Sequence, residues 1–220
     1  MPNPIKPNLK TEIIPILLIL VLGISSFYFY SYFPERVPIH WNFAGEPDNW
    51  GSPLFAAFML PALISIMYLF FLFLPTVDPK KERYAQFHKI YHIFKTIIMF
   101  FMAVIYFVAS LNALDYNIPI DVYIPLLIGL MFIIMGNYFS KIKPNWFIGI
   151  RTPWTLSSEY VWNKTHRFGG KIFMLGGLAL MLVSLFPPIW RMVILFTTVI
   201  IIIFGTVGYS FLIYIKEKNK

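Results

Sequence analysis

Six stretches of this chain are long and apolar enough to cross a membrane, and no other feature of the sequence restricts the fold so much. They cover residues 13–33, 54–75, 96–114, 122–139, 172–186 and 192–215. A spanning helix needs about 20 mainly apolar residues, and only the fifth run falls clearly short. A membrane barrel would alternate apolar and polar residues over about ten positions; the run VILFTTVIIIIFG does not alternate. The composition agrees, with 58% hydrophobic and only 13% charged residues, where a soluble domain carries about 25% charged. The expected fold class is an all-α integral membrane protein of six transmembrane helices, multi-pass in the cell membrane and surrounded by the lipid bilayer. Pro187 and Pro188 force a tight turn, so the last two helices should form a hairpin. The first ten residues carry Lys6, Lys10 and three prolines. No small-residue cleavage site follows the first run, which is therefore expected to be a retained helix rather than a signal peptide.

Charge sets the expected orientation. Sixteen of the 18 lysines and arginines fall on one side of these spans, leaving only Arg36 and Arg191 on the other. Cations collect on the cytoplasmic side of short loops, so both termini are expected there. The net charge of +8 is then topological. It does not imply nucleic acid as a direct partner, because the basic residues are scattered between apolar runs instead of forming one stripe. Cysteine is absent, which excludes disulfides, thiolate metal sites and a cysteine nucleophile. The spans show no internal repeat and no acidic residue at mid-depth, two features many ion-coupled transporters have.

Three polar segments remain. The outer loop, 34–53, reads PERVPIHWNFAGEPDNWGSP. Its prolines and glycines are turn punctuation, and VPIHWNF between them can form a short strand. His40, Glu46 and Asp48 lie close in sequence, but their spacing matches no usual zinc pattern. Trp41 and Trp50 can anchor the loop at the headgroups, or the aromatics and acids together can present a surface to an external peptide. The inner segment, 76–95, offers Asp78 as an N-cap with Pro79 at the first helical position, and His88 and His92 on one helix face. The inner loop, 140–171, is the richest: Arg151 lies between Trp146 and Trp154, Ser157 can cap a short helix, and Trp162 and His166 lie four apart on it. Gly169 and Gly170 would then re-enter the membrane. One reading makes this loop an interfacial scaffold of aromatic anchors and snorkelling cations. Another gathers Asn137, Asn145, Arg151, Trp162 and His166 into an integral-membrane enzyme site for a lipid or phosphate-bearing substrate, with Arg151 as the clamp.

The loops also carry a resemblance. PxHWNxxGEPDxWGS, LPTVDPKKxxYxxFxKxY and GNYxxKIKPNWFIGIRTPWTLSSExVWxxTHRFGGK resemble, in order and spacing, the connections of the SdpI family of membrane proteins. The first of them resembles a small domain of unknown function found at the start of such proteins. One departure is Pro53, where the family pattern has lysine. The resemblance implies a division into a two-helix unit, 1–95, containing the outer loop, and a four-helix SdpI-like unit, 96–220, containing the inner loop. It implies an immunity protein, not an enzyme and without a cofactor, that protects the cell from an extracellular, membrane-active peptide toxin. It also implies a possible second partner, a cytoplasmic transcriptional repressor held at the membrane. The outer-loop residues expected to meet the toxin are His40, Trp41, Asn42, Gly45, Glu46, Asp48 and Trp50. The inner-loop signature is Asn137, Pro144, Asn145, Gly149, Arg151, Thr152, Pro153, Trp154, Thr155, Trp162 and His166.

Overall fold

In the structure, a computed structural model describing residues 3–219, the six apolar runs are six helices long and apolar enough to span a membrane. These are α1 (Leu9–Tyr32), α2 (Pro53–Val77), α3 (His88–Ala113), α4 (Ile120–Phe139), α6 (Glu159–Leu182) and α7 (Pro188–Lys218); α5 (Pro153–Ser157) is a single short turn. The all-α expectation needs one correction. The outer loop folds into an antiparallel hairpin of β1 (Val37–Trp41) and β2 (Pro47–Gly51), so both halves of the loop are strands, not only the first. The register runs from Val37 opposite Gly51 to Trp41 opposite Pro47, with an irregularity around His40.

Local chemistry fixes the helix ends. Asn8 caps α1 in a reciprocal capping box with Thr11, satisfying N–H groups that have no partner within the helix. Ser52 caps α2 and Pro53 takes its first position, where a missing N–H costs nothing; the departure at Pro53 therefore suits the helix start. Pro15, Pro61, Pro75 and Pro125 lie inside helices, as membrane helices tolerate when neighbours satisfy the freed carbonyls.

Two expectations about the inner segments are corrected. Asp78 is the C-cap of α2, not the N-cap of α3; a 3₁₀ turn, Lys81–Gln86, intervenes before α3 begins at His88. The inner loop is also much shorter than 140–171. Ser158, not Ser157, caps a helix that continues unbroken through Gly169 and Gly170. Its buried residues, Trp162, Thr165, His166, Gly169 and Gly170, recur at helical spacing. Hydropathy marks only the apolar part of α6, whereas the helix extends wherever one face is packed.

α1, α2 and α3 pack around one core that includes Leu22, Phe29, Ile64, Met99 and Tyr106. α4 lies directly against α6 and α6 against α7. Glycine permits the first contact: a Cβ at Gly129 would come 2.5 Å from the Gly177 carbonyl, and one at Gly136 would come 2.6 Å from that of Gly170. Small residues let spanning helices approach in this way, so that dispersion contacts hold them where lipid offers no hydrophobic drive. Large apolar side chains such as Leu17, Phe70 and Phe204 remain exposed on the flanks, the surface a bilayer would cover.

Candidate functional sites at the two ends

The hairpin sits at one end of the bundle and is braced by it. Trp41 donates its indole N–H to Asn112 Oδ1 at 3.0 Å, and Asn112 in turn donates to the Ile118 carbonyl. Phe43 packs on Phe196 of α7. At the tip, Asn42 Oδ1 accepts from the Ala44 and Glu46 amides, its amide donates to Glu46 Oε2, and Gly45 takes φ +82°. That left-handed conformation favours glycine. A Cβ there would also meet the Asp121 side chain at 3.0 Å. His40 Nδ1 donates to Asp48 Oδ1 at 2.5 Å on the exposed face. Trp50 is 44% exposed, with the Arg36 guanidinium 5.7 Å from its ring.

Beneath the hairpin lies a cavity of about 510 Å³, lined by Ile39, Trp41 and Phe43 above and by residues such as Ile105, Ile124 and Leu195 from the helices. Asp121 and Arg191 form an ion pair on its wall. Asp121 at the start of α4 and Arg191 in the first turn of α7 therefore contribute to this site. Asn112, Asp121 and Arg191 were not among the expected site residues. The available signal was that Arg191 is one of two cations on its side, with Asp121 an acid at the start of a span on the same side.

At the opposite end, residues 140–158 form a cradle held by buried polar side chains. Asn145 is fully buried: its amide donates to the Lys143 and Ile148 carbonyls, and its Oδ1 accepts from the Phe147 and Ile148 amides. Asp78, also buried, accepts from the Lys80 amide, the Tyr84 hydroxyl at 2.8 Å and the Trp146 amide at 2.9 Å, and so ties the inner segment to the cradle. Burial, together with this carboxylate acceptor, pushes the Tyr84 hydroxyl far up from its ordinary value, so it remains a donor.

Trp162 donates to the Ile142 carbonyl, and its ring stacks on His166 at 4.0 Å. His166 Nδ1 donates to the Trp162 carbonyl and Nε2 accepts from the Ile150 amide, which specifies a neutral imidazole. Gly149 has φ +112°, and a Cβ on it would come 2.3 Å from His166 Nε2. Thr152 and Thr155 make a capping box for α5 that begins with Pro153, and Thr152 also bonds Ser210 of α7 at 3.0 Å. Trp154 packs on Phe211, and Pro144 is buried. Arg151 and Asn137 are exposed, and Arg151 donates to the Trp146 carbonyl. The five residues grouped for an enzyme site thus do not present their polar atoms together, since those of Asn145, Trp162 and His166 are bonded to backbone.

A further cluster escaped the sequence reading. Glu12, taken to lie before the first span, and Lys95, counted among the orienting cations, are both buried inside helices and pair at 2.5 Å. Tyr68 donates to the same carboxylate at 3.0 Å. Among the described residues, no three histidine or acidic side chains come together in a group able to hold a metal ion.

Residues 16–65, which include the hairpin, match a domain of unknown function (DUF1648), and residues 141–213, which include the cradle, match the SdpI/YfhL protein family. The Immunity protein SdpI of Bacillus subtilis (strain 168) is 28% identical over 193 residues, spanning 88% of this chain and 90% of that protein. No solved structure matches. The resemblance carried by the loops is thereby borne out, in a multi-pass membrane protein that is similar to SdpI over most of its length.

Proposed function

We propose that this chain is a membrane immunity protein that protects its cell from an extracellular, membrane-active peptide toxin, with the β-hairpin end outside and both termini in the cytoplasm. The observation that carries the reading is the braced hairpin over an apolar cavity. Trp50, Glu46 and Asp48 are exposed on the hairpin, and Asp48 also lines the cavity together with aliphatic residues such as Ile39, Ile105 and Ile124. Apolar anchors with an acidic rim suit a cationic, amphipathic peptide. Similarity to a protein named for immunity supports the same reading, and the cation asymmetry supports the orientation. In this orientation the cradle, with Trp146 and Arg151 exposed, is the surface on which a cytoplasmic repressor would be held.

Expression of the full chain in a toxin-sensitive host, scored for survival, tests the function. Because cysteine is absent, single cysteines test the orientation. Asn49→Cys should react with an impermeant maleimide in intact cells, and Asn163→Cys only after lysis; both positions are exposed. The reverse labelling pattern, or no gain in survival, would sink the proposal.

A further inference from the structure

At the end opposite the hairpin, a cavity of about 830 Å³ opens between the segment before α1 and the first turns of α3. That segment is anchored: Asn3 donates to the Leu72 carbonyl at 3.1 Å, and Ile5 is buried in a core with Phe71, Tyr84 and Phe94. Lys6 and Lys10 line the cavity from one side and His88 and Lys89 from the other. The described lining contains no carboxylate. Among the described residues these three lysines form no ion pair, while Glu12, the acidic residue nearest in sequence, is held by Lys95 instead. α3 begins without a side-chain cap and without an acid in its first turn, so no side chain of that turn offsets the positive end of its dipole beside the cavity. Farther along both helices the lining becomes apolar, with Ile14, Ile93 and Ile97.

A cationic mouth that continues into an apolar floor, at the ends of two spanning helices, fits an anionic headgroup followed by an acyl chain. A soluble phosphate would use the mouth alone. We propose that this cavity binds an anionic phospholipid of the surrounding bilayer, with its phosphate held by Lys6, Lys10 and Lys89 and one acyl chain lying along Ile14, Ile93 and Ile97. The site is independent of the immunity reading and would stand if that reading failed.

The test uses the full chain, purified from bilayers mixing phosphatidylglycerol and phosphatidylcholine, with retained lipid counted by native mass spectrometry. Phosphatidylglycerol should be retained preferentially. The K6Q/K10Q/K89Q variant should lose at least about tenfold of that retention, since each cation near an anionic headgroup contributes severalfold. Ile93→Trp, which fills the floor and keeps every charge, should lose it too. A control replacing Lys164, Lys171 and Lys218, which lie outside the cavity lining, should retain lipid as the native chain does. Equal loss in that control, native retention by Ile93→Trp, or equal retention of the two lipids would overturn the proposal. So would competition by glycerol phosphate as effective as by a short-chain phosphatidylglycerol, because the ligand would then be a soluble phosphate. If the triple lysine variant does not fold, Ile93→Trp decides alone.

Discussion

The two ends of the molecule use polar side chains in opposite ways. In the cradle, Asn145, Asp78, Thr152 and His166 are buried and bonded largely to backbone groups. At the hairpin, His40, Glu46 and Asp48 are exposed and bonded mainly to one another and to near neighbours. A buried polar group must be satisfied or it costs about 1–3 kcal/mol, so the cradle's residues are needed for folding. Exposed groups can exchange protein partners for water, which leaves the hairpin's residues available to a ligand. Motif density alone would have ranked the cradle as the chemical site. Its geometry identifies it instead as a packed, hydrogen-bonded platform, with the exposed polar groups at the other end.

The largest test of this division lies outside both ends, at the buried pair of Glu12 and Lys95. Removing one partner of a buried ion pair leaves an uncompensated charge and costs about 3–5 kcal/mol. Lys95→Met should therefore lower the amount of folded protein and its melting temperature in detergent more than any change in the hairpin. The double variant with Glu12→Gln should recover most of the loss. A Lys95→Met protein as stable as the native chain would mean that this pair is solvated and that buried polar groups do not govern stability here.

Next in size is a matched pair of glycines, one at each end. Gly149→Ala combines a left-handed backbone with a contact against His166 Nε2, and together these should cost about 2–4 kcal/mol. Gly45→Ala meets a similar backbone penalty, about 1–2 kcal/mol, but its steric neighbour is the Asp121 side chain, which can shift. Thermal unfolding of both variants tests the contrast; a larger loss at Gly45 would reverse it.

How far the sequence reveals these arrangements differs with the kind of interaction. The six helices were legible because hydropathy integrates over some twenty residues, and the hairpin's turn residues announced an ordered loop. Helix ends were less legible. α6 begins at Glu159 because a packed stripe at helical spacing extends it beyond its apolar run. Asp78–Pro79 suits either a helix start or the turn after a helix, and what decides is a bond to the Trp146 amide, 68 residues away. Lys95 resembled every other inner cation, because its partner Glu12 is 83 residues distant. Residue types in the cradle were recognisable from their motif, but burial alone tells whether a histidine is a ligand or a brace.

Within the hairpin the two tryptophans separate bracing from recognition. Trp41 bonds Asn112 and lines the cavity, whereas Trp50 is exposed. Under the proposed function, Trp50→Ala should remove an apolar anchor, worth about 2 kcal/mol or more, or roughly thirtyfold in toxin affinity. Its folding stability should stay within about 0.5 kcal/mol of native. Trp41→Ala should lose both protection and stability, and Trp41→Phe should show which part depends on the Asn112 bond. Survival curves at equal expression, together with melting curves, separate these outcomes. Full protection by Trp50→Ala would move recognition from the hairpin face to the cavity.

The smallest expected effect belongs to Asp48. Its carboxylate accepts from His40 on an exposed face, and exposed ion pairs contribute about 0–1 kcal/mol to stability. Asp48→Asn keeps an oxygen that can accept the same hydrogen bond and removes only the charge, so the hairpin should remain folded. Any role of the charge in recognition is then long-range attraction of a cationic peptide. Such attraction is screened over about 8 Å at physiological ionic strength and about 30 Å at roughly 0.01 M. Protection by Asp48→Asn should therefore fall by no more than about fivefold, the equivalent of 1 kcal/mol, and only in low-salt medium, through slower association. Toxin association rates measured at low and physiological salt provide the check. If Asp48→Asn is as damaging as Trp50→Ala, and equally so at both salt concentrations, the carboxylate makes a direct contact in the complex and belongs with the anchors, not with the rim.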